Sequence, residues 1–419
     1  MSSDKNPPSA GTDAASTALT VDEARNAILE LVMTTSETET VNVIDCVDRI
    51  SAEDIFARQQ IPHFRNSAMD GFAIRFGDLA SFGSLKVVGK SLAGHPFNGT
   101  LSTGTAVEIT TGAMIPADAD TIVIKENSVL SDGQLTLLAE PVKHQYVRNP
   151  GDDIASNSKL VSRLQRLNPS DSGLIAAQGI CDVSVTKLPR VGIFSTGDEL
   201  CTGSETLAEG QIYDSNRVTI TSLLKRCGIT ATDLGIVKDD PSQLQQLLND
   251  HSHYDFILSS GGVSVGQADY VKDVVGQNGE LVFWRVAMKP GKPMVTAKLN
   301  NGALYFGLPG NPVSSLVTCV QFVIPALRAF SGEQYTAPIP VEATCKSELK
   351  KVAGRFEFQR GWLSVEQQQL MVATTGLQDS HVLSSVSRAN CFICLPQHSS
   401  GASVGEKVKV LPFDVLAGL

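Results

Sequence analysis

The sequence lacks an excess of basic residues and lacks any long apolar run. Of its 419 residues, 34 are Lys or Arg and 44 are Asp or Glu, which gives a formal net charge of −10. This acidic balance argues against a protein that binds nucleic acid or a membrane surface. No apolar stretch approaches the roughly 20 residues that cross a bilayer, and the longest candidate, 316–327, is predicted to be a buried helix.

The N-terminus also lacks the basic start and the apolar centre of a signal peptide. Residues 1–18 are rich in Ser, Ala, Thr, Asp and Pro, and we expect them to form a disordered tail. The eight cysteines are spread along the whole length, which indicates reduced thiols and a cytoplasmic location.

Two patterns that suggest metal binding are interpreted as structural. Cys391 and Cys394 have C-x-x-C spacing within a strand-like run, where residues three apart point to opposite faces. Core thiols are therefore favoured over a zinc site. His251 and His253 are predicted at a helix end, on the surface or complementing the helix dipole.

Residues 255–269 combine a buried strand, a loop rich in glycine and serine, and the start of a helix. Gly261 and Gly262 let the backbone turn without a Cβ clash and bring its N–H groups close to a ligand. A helix predicted from Asp269 adds its dipole, and both features favour an anion such as phosphate. The alternative is a turn without a ligand, which many parallel α/β domains contain.

The same alternation of strand and helix extends on both sides of this stretch. Strands are predicted at 191–195, 233–237 and 256–259, and helices at 215–227, 242–251 and 269–275. This order predicts a parallel sheet with helices on both faces, which binds ligands at the carboxyl ends of its strands.

Short β-like runs with glycine turns flank this α/β region. They predict an inserted, mostly-β module before it and a small β domain after it. The predicted domains are a tail at 1–18, a helical and linker domain at 19–55 with 150–188, the β module at 56–149, the α/β substrate-binding domain at 189–333, and the C-terminal β domain at 334–419.

Three loops at the predicted sheet edge carry carboxylates, namely Glu199, Asp239 and Asp269. Mg²⁺ prefers oxygen ligands and bridges one or two carboxylates to a substrate phosphate, so a cation site beside the phosphate loop is expected. The alternative is that Asp198, Glu199 and Asp239 only cap helices, whose N-termini favour acids.

Two further segments suit an anion. Lys289 and Lys292 lie three apart around Pro290 and Gly291, so both ammonium groups are expected to face one anion, although a solvated surface pair is equally compatible. The turn 309–312 precedes a helix whose first turn includes Ser314, a second arrangement that favours an anion.

Nine motifs, in order from about residue 19 to the end, resemble MoeA, the molybdopterin molybdenumtransferase family that includes the E domain of gephyrin. They are SAMDGFA (67–73), TTGA (110–113), STGDEL (195–200), IYDSNR (212–217), VKDD (237–240), SSGGVSVG (259–266), KPGKP (289–293), GLPGNPVS (307–314) and SHVLSS (380–385). One departure is Gln267, where many bacterial members have Glu.

The resemblance implies an elongated multidomain chain of α/β plus β class, with an adenylyltransferase-like α/β domain and a β-barrel-like C-terminal domain. It also implies a reaction in which Mg²⁺ serves the cleavage of adenylylated molybdopterin, molybdate enters the dithiolene, and AMP is released. The expected unit is a homodimer, with each active site shared between the α/β domain of one subunit and the inserted β module of the other.

The resemblance assigns roles by motif position. Catalytic residues are expected at Asp70, Thr111, Glu199 and Asp239, and metal ligands at Glu199, Asp239 and Asp269. Substrate contacts are expected from Ser195, Thr196, Gly197, Asp198, Ser260, Gly261, Gly262, Ser264, Asp269, Pro309, Gly310, Asn311 and Pro312. Molybdate contacts are expected from Lys289, Lys292, Ser314, Arg360 and Ser385.

Two other functions are compatible with this resemblance. One is a molybdopterin adenylyltransferase, whose fold resembles the α/β domain, but the two β regions disfavour it. The other is a non-catalytic scaffold, since the gephyrin E domain also binds receptor loops. The acidic edge and both lysines favour an enzyme, and a molybdopterin adenylyltransferase is a possible partner.

Overall fold

The computed structural model describes residues 18–262 and 269–416, with all side chains except those of residues 269, 283, 284, 415 and 416. The described chain forms two compact units. The larger takes in the residues up to Glu39 and from Thr186 onward, and the smaller is Thr40–Val185. Nearly all of the predicted tail, 1–17, lies outside the described residues.

The first part of the chain contains two helices and twelve strands. In order they are α1 (Val21–Leu31), β1 (Thr38–Asn42), β2 (Ile55–Phe56), β3 (Asn66–Ser67), β4 (Gly71–Ile74), β5 (Leu85–Ser91), β6 (Thr105–Ile109), β7 (Thr121–Ile124), β8 (Ser128–Ser131), β9 (Gln134–Leu137), β10 (Val147–Arg148), β11 (Lys159–Val161), α2 (Pro169–Ala176) and β12 (Asp182–Thr186). Single 3-10 turns lie at Val43–Asp45, Phe76–Ala80 and Lys125–Asn127.

The second part alternates strands with helices and then becomes mostly β. It contains β13 (Val191–Thr196), β14 (Leu200–Cys201), β15 (Ile212–Tyr213), α3 (Ser215–Arg226), β16 (Ala231–Val237), α4 (Pro241–Asp250), β17 (Phe256–Ser260), α5 (Asp269–Gln277), β18 (Gly279–Arg285), β19 (Met288–Lys289), β20 (Pro293–Leu299), β21 (Leu304–Leu308), α6 (Pro312–Thr318), α7 (Ile324–Phe330), β22 (Val341–Cys345), β23 (Leu349–Lys350), β24 (Phe356–Glu366), β25 (Gln369–Thr374), α8 (Ser384–Ser387), β26 (Cys391–Leu395), β27 (Gly401–Ala402), β28 (Lys407–Pro412) and α9 (Phe413–Leu416).

The smaller unit is built around a six-stranded sheet in the order β7-β4-β6-β5-β9-β8. Its pairs are antiparallel except for β5 with β6, and its faces bury separate apolar clusters. Along β4, Phe72 and Ile74 enter one cluster and Ala73 the other, as the two-residue period of a strand requires. The predicted mostly-β region is therefore present.

The larger unit contains a six-stranded sheet in the order β16-β13-β17-β21-β20-β18. The first four strands are parallel, as predicted, but β20 runs antiparallel to both β21 and β18, so the sheet is mixed rather than parallel throughout. Residues 286–292 connect β18 to β20, and residues 300–303 connect β20 to β21. Such short connections return the chain antiparallel, whereas a parallel neighbour needs a longer crossover.

Helices cover both faces of this sheet. On β17, Phe256 and Leu258 pack into a cluster with α1, α3, α6 and α7, while Ile257 packs into a second cluster with α4 and α5. The run is apolar at every position because both faces are buried, as predicted. A capping box between Thr20 and Glu23 begins α1.

The predicted buried helix at 316–327 lies inside a longer helical stretch, Pro312–Phe330, with a π-helical turn at Cys319–Val323. This 19-residue stretch is long and apolar enough to cross a membrane by length and composition alone, but it is mostly buried within the protein. Pro325 has no N–H to donate to the Gln321 carbonyl. The buried Arg25 donates its Nε–H to that carbonyl instead, at 3.1 Å, so this backbone acceptor is satisfied.

The C-terminal part forms a closed barrel of five strands. The sheet runs β24-β25-β22-β28-β26, and β26 pairs back to β24, while β19 attaches outside the ring beside β24. Cys391 and Cys394 lie on β26 with side chains in different clusters, and burial raises the pKa of each thiol to about 12. The interpretation as core thiols is confirmed, and the eight cysteines, all within the described residues, form no disulfide.

Candidate functional site

A cavity of about 1090 Å³ opens at the carboxyl ends of β13, β16, β17 and β21. Its walls come from the loops that follow these strands and from the start of α6. The predicted site residues that line it are Thr196, Gly197, Asp198, Glu199, Asp239, Ser260, Gly261, Gly262, Pro309, Gly310, Asn311, Pro312 and Ser314. The sheet therefore brings most of the predicted substrate residues to one place.

Glycine is required in the loop after β17, because the backbone of this loop lies very close to Thr196. Gly261 and Gly262 have φ of +95° and +71°, which side chains rarely adopt. A Cβ on Gly261 would lie 2.4 Å from the carbonyl oxygen of Thr196, and one on Gly262 would lie 2.8 Å from its Oγ1. The loop thus sits directly against the end of β13, as the sequence predicted for a tight turn.

Asn216, in the first turn of α3, ties two of the cavity loops together. Its Nδ2 donates to Ser260 Oγ at 2.8 Å and to the Gly310 carbonyl at 2.7 Å. A Cβ placed on Gly310 would lie 3.8 Å from the Cα of Gly261. The glycine loop and the turn at 309–312 are therefore held in a fixed relation by one amide side chain.

The Asp239 carboxylate lies among hydroxyl groups. Its Oδ1 accepts from Tyr270 Oη at 2.9 Å and from Thr196 Oγ1 at 3.3 Å. Burial, together with the nearby Asp239, raises the pKa of Tyr270 to about 12, so the phenol keeps its proton at neutral pH. Asp198 is adjacent, because its Oδ1 accepts from the Asp239 backbone N–H at 3.4 Å.

The cap-only alternative is wrong for the helices beside the cavity. The N-cap of α4 is Asp240, whose Oδ1 accepts from the Ser242 N–H at 2.8 Å, and the N-cap of α3 is Asp214. Asp198, Glu199 and Asp239 cap neither helix and line the cavity instead. Their presence in the lining is compatible with the predicted substrate and cation contacts.

The donor set fits Mg²⁺ in part. Glu199 and Asp239 both line the cavity, and Mg²⁺ usually takes one or two carboxylates together with substrate oxygens and water. Within the described part of the chain, no group of three or more His, Cys, Asp or Glu side chains is arranged to hold a metal by itself. The third predicted ligand is Asp269, which begins α5 but whose side chain lies outside the described atoms.

The two predicted anion-binding lysines differ in their surroundings. The Lys289 ammonium lies 2.9 Å from the carboxylate of Glu357, a residue of β24 that is almost fully buried. Lys292 is exposed. Neither is among the described residues that line the cavity, although Pro293, next to Lys292, is. The structure therefore places Lys289 beside a counter-ion and Lys292 near the cavity wall.

Arg360 and Ser385, both predicted for molybdate, are in direct contact. Arg360 is 1% exposed, and its Nε donates to Ser385 Oγ at 3.0 Å. Its Nη2 donates to the Asp379 carbonyl at 3.1 Å, and burial lowers the pKa of the guanidinium to about 10. The hydrogen bonds of the guanidinium go to a hydroxyl and to backbone carbonyls, so a buried cation is present that an oxyanion would stabilise.

Besides Asp269, two predicted substrate residues contribute no described side chain to the cavity. Ser195 is fully buried within β13, and its hydroxyl has no described hydrogen-bond partner. Ser264 lies outside the described residues. The side chain of Ser195 is therefore buried within β13 and is not among the described residues that line the cavity.

Asp70 and Thr111 belong to the smaller unit, where they form a local pair. Asp70 Oδ1 accepts from the backbone N–H and from the hydroxyl of Thr111, both at 2.7 Å. These bonds, the backbone one foremost, lower the pKa of the exposed Asp70 carboxyl. The carboxylate is thus held ionised and oriented by one residue of the turn that follows β6.

Nine lining residues were not predicted, namely Leu200, Ile212, Tyr213, Asp214, Ser215, Asn216, Tyr270, Pro293 and His381. Asn216 lies inside the motif IYDSNR, Tyr270 follows the predicted ligand Asp269, and His381 comes from the segment 380–385. Ser380 anchors that segment to the turn at 309–312, because Asn311 Nδ2 donates to its Oγ at 3.0 Å. For Asn216, Tyr270 and His381, the available signal was a position inside a motif or beside a predicted site residue, which indicates proximity to the cavity.

Comparison with known proteins places almost the whole chain in three consecutive family regions. Residues 19–179 match the "MoeA N-terminal region (domain I and II)", residues 192–329 the "Probable molybdopterin binding domain", and residues 342–413 the "MoeA C-terminal region (domain IV)".

Full-length relatives support the same assignment. The molybdopterin molybdenumtransferase of Haemophilus influenzae is 40% identical, covering 96% of this chain and 100% of that protein. The molybdopterin molybdenumtransferase of a Nostoc species is 34% identical, covering 90% and 89% respectively. The crystal structure of the molybdopterin biosynthesis moeA protein from Pyrococcus horikoshii OT3 superposes with a TM-score of 0.78 at 26% identity, covering 94% of this chain and 99% of that one.

Proposed function

The chain belongs to the molybdopterin molybdenumtransferase family, and from this premise we propose that it inserts molybdate into the dithiolene of adenylylated molybdopterin and releases AMP. It is a transferase of molybdenum cofactor biosynthesis. The observation that carries the proposal is the cavity, where a glycine loop and the carboxylates of Glu199 and Asp239 lie at one sheet edge.

The glycine loop and the turn at 309–312 would bind the phosphate end of the substrate. Both are irregular backbone at the carboxyl edge of a largely parallel sheet, where N–H groups are available to anions. Asn216 fixes their separation through its bonds to Ser260 and to Gly310. The predicted substrate contacts, including Ser195, Ser264 and Asp269, remain part of this proposal.

Mg²⁺ would be held by Glu199 and Asp239, with Asp269 as the predicted third ligand. When bound, the ion supplies positive charge that stabilises the charge developing on the phosphate. Asp198 and Thr196 help to position Asp239 through the hydrogen bonds described above. The residues of this chain would thereby orient the cleaved linkage and present two carboxylates to the cavity.

Molybdate, the second substrate, would bind to donors rather than carboxylates. Arg360, Ser385 and Ser314 are buried or nearly so, and Lys292 is exposed near the wall that Pro293 forms. Charge-assisted bonds from guanidinium and ammonium groups suit an oxyanion. Lys289 would join them only by sharing or releasing its contact with Glu357.

The proposed active unit is a homodimer in the cytoplasm. Asp70 and Thr111 would act across the subunit interface on the cavity of the partner, and a molybdopterin adenylyltransferase would deliver the substrate. The proposed division into domains is 19–55 with 150–188, 56–149, 189–333 and 334–419. The family matches at 19–179, 192–329 and 342–413 support it in outline.

The proposal is tested by incubating the protein with adenylylated molybdopterin, molybdate and Mg²⁺ and following AMP. We expect EDTA to abolish AMP release and added Mg²⁺ to restore it. Glu199→Gln should lower the rate by about a hundredfold, the usual effect of removing one charge-stabilising group. The matched control is Glu205→Gln, because Glu205 is an exposed carboxylate that is not among the residues described as lining the cavity.

Full activity in EDTA would contradict the proposed role of the metal but not the proposed transferase reaction. No AMP release by the wild type under any of these conditions would contradict the proposed reaction. Binding of the substrate without turnover would then favour a non-catalytic scaffold, and formation rather than cleavage of the adenylylated pterin would favour an adenylyltransferase.

A further inference from the structure

Tyr270 is a cavity residue to which neither the motifs nor the proposed reaction gives a role. It is the second residue of α5, and its ring packs against the apolar cluster that includes Val271 and Ile257. Its hydroxyl reaches the cavity and donates to Asp239 Oδ1 at 2.9 Å. The ring is therefore anchored in the core while the hydroxyl contacts a proposed metal ligand.

Two hydroxyl donors converge on one oxygen of Asp239. Thr196 Oγ1 lies 3.3 Å from Oδ1, and it also lies 3.4 Å from the Tyr270 hydroxyl. Among the described residues, Oδ2 of Asp239 accepts no hydrogen bond. The carboxylate is thus held on one side by β13 and α5, and its second oxygen is left for a ligand in the cavity.

In this contact the Tyr270 hydroxyl is the donor and the Asp239 carboxylate is the acceptor. A neutral phenol can donate to a carboxylate without adding charge, so it restrains Asp239 and leaves its negative charge intact. A lysine at this place would neutralise the carboxylate and compete with a cation.

We propose that Tyr270 is a positioning residue, which fixes the Asp239 carboxylate through Oδ1 so that Oδ2 faces the cavity and binds the divalent cation on the substrate phosphate. The inference rests on the proposed function for the identity of that cation. It adds a residue from α5 to the metal side of the site, and it predicts an effect on cation affinity rather than on substrate affinity.

The test compares Tyr270→Phe, which removes only the hydroxyl, with Tyr254→Phe as the matched control. Tyr254 packs on the same apolar cluster but precedes β17, at the edge of the sheet away from the cavity. Mn²⁺ binding is measured without turnover, in the presence of AMP. The free ion is quantified from its electron paramagnetic resonance spectrum. Mg²⁺ is then titrated in the AMP-release assay, and thermal melts are recorded for each variant.

We expect Tyr270→Phe to weaken Mn²⁺ binding and to raise the half-saturating Mg²⁺ concentration by about tenfold, equivalent to ~1.4 kcal/mol. The melt and the substrate half-saturation should stay near wild type, and saturating Mg²⁺ should restore most of the rate. Thr196→Val, which removes the other hydroxyl from the same oxygen, should shift cation affinity in the same direction and tests the inference if Tyr270→Phe does not fold.

Cation affinity equal to wild type in a folded Tyr270→Phe protein would overturn the inference. A lower melting temperature and rate with an unchanged cation requirement would also overturn it, since that result describes a structural role. Absence of AMP release in the wild type would instead count against the proposed reaction, and the Mn²⁺ measurement would still decide the role of Tyr270.

Discussion

Two carboxylates, one in each unit, are held in different ways. Asp70 in the smaller unit takes both of its donors from a single residue, Thr111, on one loop. Asp239 in the larger unit takes its donors from Thr196 and Tyr270, which lie 74 residues apart in sequence. The first arrangement is local, whereas the second exists only after the sheet and its helices have assembled.

The difference separates what each unit can contribute. Of the predicted site residues, the smaller unit contains Asp70 and Thr111, which are too few to bind a large substrate alone. The larger unit holds the cavity and all five residues predicted for molybdate, namely Lys289, Lys292, Ser314, Arg360 and Ser385. Under the proposed function, Asp70 and Thr111 of one subunit act on the cavity of its partner.

The largest expected effect comes from separating the two contributions between subunits. Asp70→Ala and Glu199→Ala should each be inactive. When the two are mixed and allowed to exchange subunits, a heterodimer has one site with both lesions and one site with neither. Activity should return to about a quarter of wild type, the share of intact sites after random pairing. AMP release before and after exchange is the measurement.

A native mass spectrum of the mixture provides the control for subunit exchange. If heterodimers form and activity stays absent, each site is built within one chain, and the comparison between units then describes two parts of the same subunit's site. Mixing two Glu199→Ala preparations should restore nothing in either case.

A smaller effect should follow from removing one lysine side chain of the larger unit. Lys292 is exposed, so Lys292→Ala should change the free energy of unfolding by less than about 0.5 kcal/mol. A charge-assisted bond to molybdate is worth roughly 1.5–3 kcal/mol. The half-saturating molybdate concentration should therefore rise about tenfold or more. Molybdate titration in the AMP-release assay, beside a thermal melt, measures both quantities.

Lys409→Ala is the matched control, because Lys409 is an exposed lysine of the barrel. A rise in the half-saturating concentration of adenylylated pterin instead of molybdate would assign Lys292 to the phosphate side. If neither value moves and the melt is normal, Lys292 is a surface residue and the anion pocket lies elsewhere.

The smallest expected effect concerns the local pair in the smaller unit. Thr111 lowers the pKa of Asp70 below the usual 3.8, through its backbone N–H first and its hydroxyl second. Thr111→Val removes only the hydroxyl, so the pKa should move part of the way back up, by less than about one unit. Thr111→Ser should preserve the value. Carbon-13 NMR titration of the Asp70 carboxyl checks this, and a pKa that falls in the valine variant would contradict it.

The sequence predicted the elements best where periodicity and capping act locally. The helix predicted from Ser215 begins at that residue, because Asp214 caps it. The apolar run of β17 was equally clear. These features depend on neighbours within a few residues, which a single sequence displays directly.

The features that were missed depend on distant contacts. The direction of β18 and β20 is set by short connections whose bounds were not predicted, so the sheet is mixed rather than parallel. The pairing of Lys289 with Glu357 joins residues 68 positions apart through β19 and β24. Tyr270 reached the site through the packing of α5, which places its hydroxyl against Asp239, 31 residues away in sequence.

Closure of the C-terminal barrel has a consequence for the behaviour of the chain at high concentration. Each strand of the ring is hydrogen-bonded on both sides, because β26 pairs with β24 as well as with β28. An open sheet of the same strands would expose unpaired N–H and C=O groups, which recruit other chains into aggregates. The ring therefore protects the apolar strand Cys391–Leu395 from intermolecular strand addition, so long as the barrel stays closed.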